Sequence, residues 1–179
     1  MPSPMKCKTM VGPGKKYKTM GECLSYGGKK MGKIKSFRGK IASGTQDTIV
    51  LHTNTGSTGY RIVKFSLFPV APGDGSAADI ESIVKIYSVK QSTIDGNVDF
   101  SDNTLLAAGY LVDSNSVANT TQLITVFDNM TFNQDIFITS LETNAIAVNY
   151  YIELEQFKLD LNDNTMATLK DIRNETLAI

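Results

Sequence analysis

Tyr150-Tyr151-Ile152-Glu153-Leu154-Glu155-Gln156-Phe157-Lys158-Leu159 sets the fold class, because its polarity alternates with a period of two. In an extended chain Ile152 and Leu154 point to one side and Glu153 and Glu155 to the other, so the segment predicts a strand with one dry face and one wet face. Arg61-Ile62-Val63-Lys64-Phe65-Ser66-Leu67 has the same pattern.

Working outward from these two, strands are predicted near Asp47–Thr53, Tyr60–Pro69, Ile80–Val89, Leu105–Asp113, Gln122–Asp128, Asp135–Leu141 and Ala147–Leu159, with a minor one near Asn97–Phe100. Turn residues separate them, at Asn54-Thr55-Gly56, Gly73-Asp74-Gly75, Asp95-Gly96-Asn97 and Thr143-Asn144. Short strands at this spacing, with no helical period between them, predict a mainly β protein: an antiparallel β-sandwich, jelly-roll-like, of seven or eight strands. After Leu161 the period changes. Asn162, Asp163 or Asn164 can cap a short amphipathic helix in which Met166, Leu169, Ile172 and Leu177 share a face. At 179 residues and 41% hydrophobic content the chain suits one domain with a real core. The expected organisation is a basic arm over 1–40, a sandwich over 41–161 and a tail helix over 162–179.

The arm is expected because charge is divided along the chain. Residues 1–40 hold eleven cations against Glu22 alone, and residues 41–179 hold seven cations against seventeen acids, a division of +10 and −10 inside a net charge of +0. Pro2, Pro4, Gly12-Pro13-Gly14, Gly27 and Gly28 interrupt any helix or strand within the arm. One stretch, Lys18–Tyr26, has the pattern of a short helical turn with Thr19 as cap and Glu22 three residues on. A segment so uneven in charge seeks an anionic partner. The candidate binding residues are Lys15, Lys16, Lys18, Lys29, Lys30, Lys33, Lys35, Arg38 and Lys40, with Tyr17, Tyr26 and Phe37 among them. Nearly all are Lys, a point charge without the two-pronged base reading of Arg, so any nucleic-acid binding should ignore sequence. Five such contacts to duplex DNA give a log–log salt slope of about −4 to −5. The competing partner is an acidic protein surface, the chain's own or a neighbour's.

Other chemistries find little support. No apolar run approaches the ~20 residues of a membrane span, and Lys and Gly break up the segment where a secretory signal would lie. Cys7, Cys23 and His52 are too few and too scattered for structural zinc. The cysteines read as free thiols of a reducing compartment, the alternative being a disulfide that ties down the arm. Gly27-Gly28-Lys29-Lys30-Met31-Gly32-Lys33 has part of a phosphate-binding loop, but Ile34 stands where the magnesium-binding hydroxyl belongs and no apolar strand precedes it. Asp95, Asn97 and Asp99 imitate the start of a calcium loop, yet Phe100 replaces its glycine and Leu106 its bidentate Glu. His52 has no nucleophile motif near it, so no catalytic residue, metal or cofactor is assigned and the protein reads as a non-enzyme.

A basic, Gly-broken arm feeding an antiparallel sandwich resembles small viral structural proteins. Arg61-Ile62-Val63-Lys64-Phe65-Ser66-Leu67-Phe68-Pro69, Asp99-Phe100-Ser101-Asp102-Asn103-Thr104-Leu105-Leu106-Ala107-Ala108-Gly109-Tyr110 and Val148-Asn149-Tyr150-Tyr151-Ile152-Glu153-Leu154-Glu155 are similar in texture to tailed-phage proteins of marine origin. The resemblance implies a virion component, made in the host cytoplasm, that decorates or cements a capsid. Its partners would be other capsid subunits in a homo-oligomer or lattice, with the arm docked on acidic neighbours. The small size and acidic body suit an outer or bridging position. The alternatives are a coat protein whose arm binds packaged nucleic acid, and a carbohydrate- or receptor-binding sandwich. The absence of Trp weighs against the latter.

Overall fold

A computed structural model describes residues 11–15, 32–51, 57–72, 80–114, 120–159, 165–169 and 172–173. The chain divides into two compact units, Met1–Lys33 and Ile34–Ile179. In the first, the Gly12-Pro13-Gly14 turn forms as its sequence predicts. The Lys15 amide donates to the Gly12 carbonyl at 3.0 Å, and both glycines have positive φ, 136° and 74°.

The strands are β1 (Lys33–Ile41), β2 (Thr45–Ile49), β3 (Thr58–Pro69), β4 (Ile80–Tyr87), β5 (Leu105–Ser114), β6 (Thr120–Phe127), β7 (Ile136–Glu142) and β8 (Val148–Lys158), all but Lys33 within the second unit. They form two antiparallel sheets in a sandwich-like arrangement, one of order β1-β8-β3 and one of order β2-β7-β4-β5-β6. A short helical tail, residues 165–169 and 172–173, follows.

The period-two segments explain the layering. In β8, Val148, Tyr150, Ile152 and Leu154 are buried while Tyr151, Glu153 and Glu155 face outward. Paired β3 contributes Ile62, Phe65 and Leu67 to the same core. Its odd spacing is a bulge: the register shifts between Ile62 and Lys64, so Val63 and Lys64 both lie outside and Phe65 returns to the interior. From the five-stranded sheet come Ile49, Val84, Ile86, Ala107, Leu111, Ile136 and Ile138. Gly109 sits where the layers approach closely: a Cβ there would lie 2.8 Å from the Phe65 ring and 2.9 Å from Leu67.

Three sequence expectations change. Residues 33–40, read as the end of the basic arm, form strand β1 beside β8. Their inward row is Lys35, Phe37, Gly39 and Ile41. Phe37 packs on the core, and Gly39 leaves room for Tyr150, whose ring would stand 2.6–2.9 Å from any Cβ. Asn97–Phe100 forms no strand, because Asp95 and Asp99 carboxylates take the amides of Asn97 and Ser101 at 3.1 and 2.8 Å and bend the chain into turns. The strand expected over 47–53 runs instead from Thr45 to Ile49. Cys7, Cys23, His52, the Lys18–Tyr26 turn, the turns at 54–56 and 73–75 and the helix caps at 162–164 lie outside the described residues.

Candidate functional site

Of the nine cations proposed for binding, Lys16, Lys18, Lys29 and Lys30 lie outside the described residues. Lys15 is exposed at the end of its turn. The other four are brought together on β1 and then separated by the pleat. Lys35 faces inward, donating to the Tyr60 hydroxyl at 3.0 Å with its ammonium 5.2 Å from the Tyr60 ring, so it anchors the strand. Arg38 and Lys40 fall on the outer row, and both are exposed, as is Lys33 where the strand begins. None of these three forms an ion pair among the described residues.

The same outer face carries two further cations on β3, but these are occupied. Register places Arg61 opposite Glu155 and Lys64 opposite Glu153. Arg61 pairs with Glu155 through two nitrogens, and Lys64 approaches Glu153 at 3.9 Å and the Tyr151 ring at 5.2 Å. Tyr151 donates to Glu153 at 2.8 Å, and that bond raises the pKa of its hydroxyl. Cross-strand pairing thus neutralises the β3 side of the face and leaves the β1 side positive.

The outer face of the five-stranded sheet has the opposite sign. Lys85, in the middle of β4, is buried there, and its ammonium donates to the Asp95 carboxylate and the Asn97 carbonyl, each at 2.8 Å. These bonds hold the 88–104 connection against the sheet. The connection exposes Asp99 and carries Asp102, while Glu81 on the same face accepts a hydrogen bond from Tyr110. Asp102 ties down Thr104 by backbone and side chain. Hydrogen bonds from Lys85 hold Asp95 below its ordinary carboxylate range, and those from Ser101 do the same for Asp99, so both stay ionised at neutral pH. The sequence showed Asp95-Gly96-Asn97 as a turn and as the start of an incomplete calcium loop. That the turn becomes part of an acidic face depends on a lysine ten residues away.

Assigning 33–40 to the sandwich also redraws the charge division. Residues 1–32 keep seven cations against Glu22, and residues 33–179 have eleven against seventeen acids, so +10 and −10 become +6 and −6.

Elsewhere the geometry offers little chemistry. A depression beside the tail helix is lined by Asn103, Met130, Asn133, Asp135 and Arg173. The Asp135 carboxylate there is engaged by the Leu51 amide at 2.8 Å. Among the described residues no group of three or more His, Cys, Asp or Glu is gathered as a metal site would need, and no helix is long and apolar enough to cross a membrane. Comparison of the chain with protein-family models, with curated proteins and with solved structures gives no match.

Proposed function

We propose that this protein is a non-enzymatic structural subunit that attaches to a larger shell by repeated charge-matched contacts, as a protein that decorates or cements a viral capsid does. One observation carries the reading: the two outer faces of the sandwich bear charge of opposite sign, Arg38 and Lys40 on one and Asp99 with its connection on the other. A subunit with complementary patches on opposite faces pairs heterologously, head to tail, and such contacts propagate. Residues 1–32 carry seven further cations against Glu22, a second source of positive charge for such contacts. Each contact is weak and screened, and repetition across a lattice turns it into stable attachment.

The test is light scattering across a salt series. The wild type is expected to form large species in dilute buffer that dissolve as salt rises, while Arg38→Glu/Lys40→Glu is expected to lose them. A wild type that stays at one salt-independent mass in every buffer overturns the reading. Mass spectrometry of purified particles tests the virion placement, and absence from them removes it.

A second reading, a coat protein whose cations meet packaged nucleic acid, is favoured by Arg38 and Lys40 forming no ion pair among the described residues, with Arg38 near Tyr151. It predicts a gel shift on random-sequence DNA that weakens with salt and with the same substitutions. No shift at low salt rejects it.

A further inference from the structure

The two sheets have four edges, and three are guarded against pairing with another strand. Edge β1 carries Lys33, Lys35, Arg38 and Lys40. Edge β2 is only five residues long. Edge β3 is bent by its bulge, ends in Pro69, and is met at Tyr60 by a bridge to Phe132. Charge, shortness, bulges and proline are the usual devices that keep sheet edges from adding strands.

Edge β6 has none of them. Its sequence, Thr120-Thr121-Gln122-Leu123-Ile124-Thr125-Val126-Phe127, contains no charge, proline or glycine, and its second half is rich in residues that favour strands. Among the described residues it pairs on one side only, with β5. Four apolar side chains stand open along it: Leu123 at 41%, Ile124 at 57%, Val126 at 47% and Phe127 at 40% exposure. Phe100, 69% exposed, extends the patch beside Val126 and Phe127.

We infer that β6 pairs antiparallel with β6 of a second copy, joining two five-stranded sheets across a two-fold axis at Thr125. The register follows from the backbone. The Asp128 amide donates to the Leu106 carbonyl at 3.1 Å, which places residues 128, 126 and 124 in the bonded positions of the β5 ladder. The N–H and C=O of Leu123, Thr125 and Phe127 therefore point to the open edge. A two-fold perpendicular to the sheet pairs residues of equal parity. Centred on Thr125, it sets Leu123 opposite Phe127 and Ile124 opposite Val126, so all four open apolar side chains meet one another and six of the eight open-edge backbone groups on each strand, those of residues 123, 125 and 127, are bonded.

The occupant is argued from charge. A neutral strand meets its own copy without repulsion, whereas the basic β1 would set cations against apolar side chains. The pairing is independent of the charge-matched contacts proposed above and differs from them in surviving salt.

The experiment measures mass at about 1 M salt, where charge contacts are screened to a few ångströms. The 179-residue chain is expected at twice its 19.5 kDa. Ile124→Lys/Val126→Lys replaces the apolar contact across the axis with hydrated ammonium groups and is expected to halve the mass, as is Ile124→Glu/Val126→Glu with carboxylates. An equimolar mixture of the two variants, read by native mass spectrometry at low salt, is expected to give the mixed dimer in excess over both self-pairs. Thr125→Pro, which removes an open-edge N–H and no bond to β5, is expected to halve the mass independently. A single-chain mass for the wild type, variants that stay doubled, or a mixture with no preferred mixed pair overturns the inference.

Discussion

Lys85 on β4 and Asp95 in the 88–104 connection meet at 2.8 Å, joining a lysine side chain only 5% exposed to a carboxylate that is half exposed. The pair holds an irregular segment flat against a sheet. The same ammonium donates to the Asn97 carbonyl and stands 5.5 Å from the Tyr87 ring, so the connection and β4 together replace the water this lysine would otherwise need.

Removing either partner should therefore have unequal effects. Asp95→Asn leaves a buried ammonium short of its counter-charge, while Lys85→Met removes the charge and fills the space. Asp95→Asn is expected to be the more destabilising, by about 1 kcal/mol once solvent screening of the exposed carboxylate is allowed for. Both should speed proteolysis within 88–104. Urea unfolding and limited digestion check the order, and a more stable Asp95→Asn would refute it.

The pair also sets a pH window. Asp95 is held below its ordinary range by Lys85, so its contribution is complete above the usual aspartate range and is lost as pH falls through the lowered value. For Lys85, burial lowers the pKa, and the hydrogen bonds with Asp95 and Tyr87 more than offset it, so the net shift is upward. Its contribution persists through the ordinary lysine range and is lost only as pH rises past the raised value. The amide signals of Asn97 and Ser101 are expected to hold constant in NMR spectra between these limits and to shift in acid.

Gly109 predicts a packing defect. A larger side chain on β5 meets Phe65 and Leu67 across the sandwich, and buried rings and branches have little freedom to retreat. Gly109→Val is expected to cost about 1–3 kcal/mol, with a melting temperature lower by roughly 2–4 °C per kcal/mol. Calorimetry checks it, and an unchanged midpoint would show that the layers can separate.

Tyr150 tests the join between sheets on the β1–β2 side. Its hydroxyl donates to Asp47 of β2 at 2.8 Å, from a ring buried on β8. Burial, then the Asp47 carboxylate, raises this phenol's pKa far above its ordinary value. Tyr150→Phe is expected to cost about 1 kcal/mol, because Asp47 is exposed and water replaces the lost bond. In a spectrophotometric alkaline titration, the wild type should show one tyrosine ionising later than the others, and the variant should lack it.

Seven strands were legible within a few residues, because a half-buried strand records its two environments in alternating side chains, as Ile152, Glu153, Leu154 and Glu155 show. β1 was not. Lys33, Lys35, Arg38 and Lys40 outweigh Phe37 and Ile41 in any local reading, and the strand exists because β8 offers a ladder and Tyr150 needs the space above Gly39. The candidate site divides the same way. The sign of the N-terminal cations is a property of composition, whereas the separation of Lys35 from Arg38 and Lys40 comes from pleating.

Side chains close together in the chain were enough to read a mainly β fold, the turns at Asp95-Gly96-Asn97 and Thr143-Asn144 and the opposition of charge along the sequence. Which cations are spent on ion pairs, which acids share a face and which sheet edge lies open rest on strand order and register, often among residues many tens of positions apart, and so are not written locally in the chain.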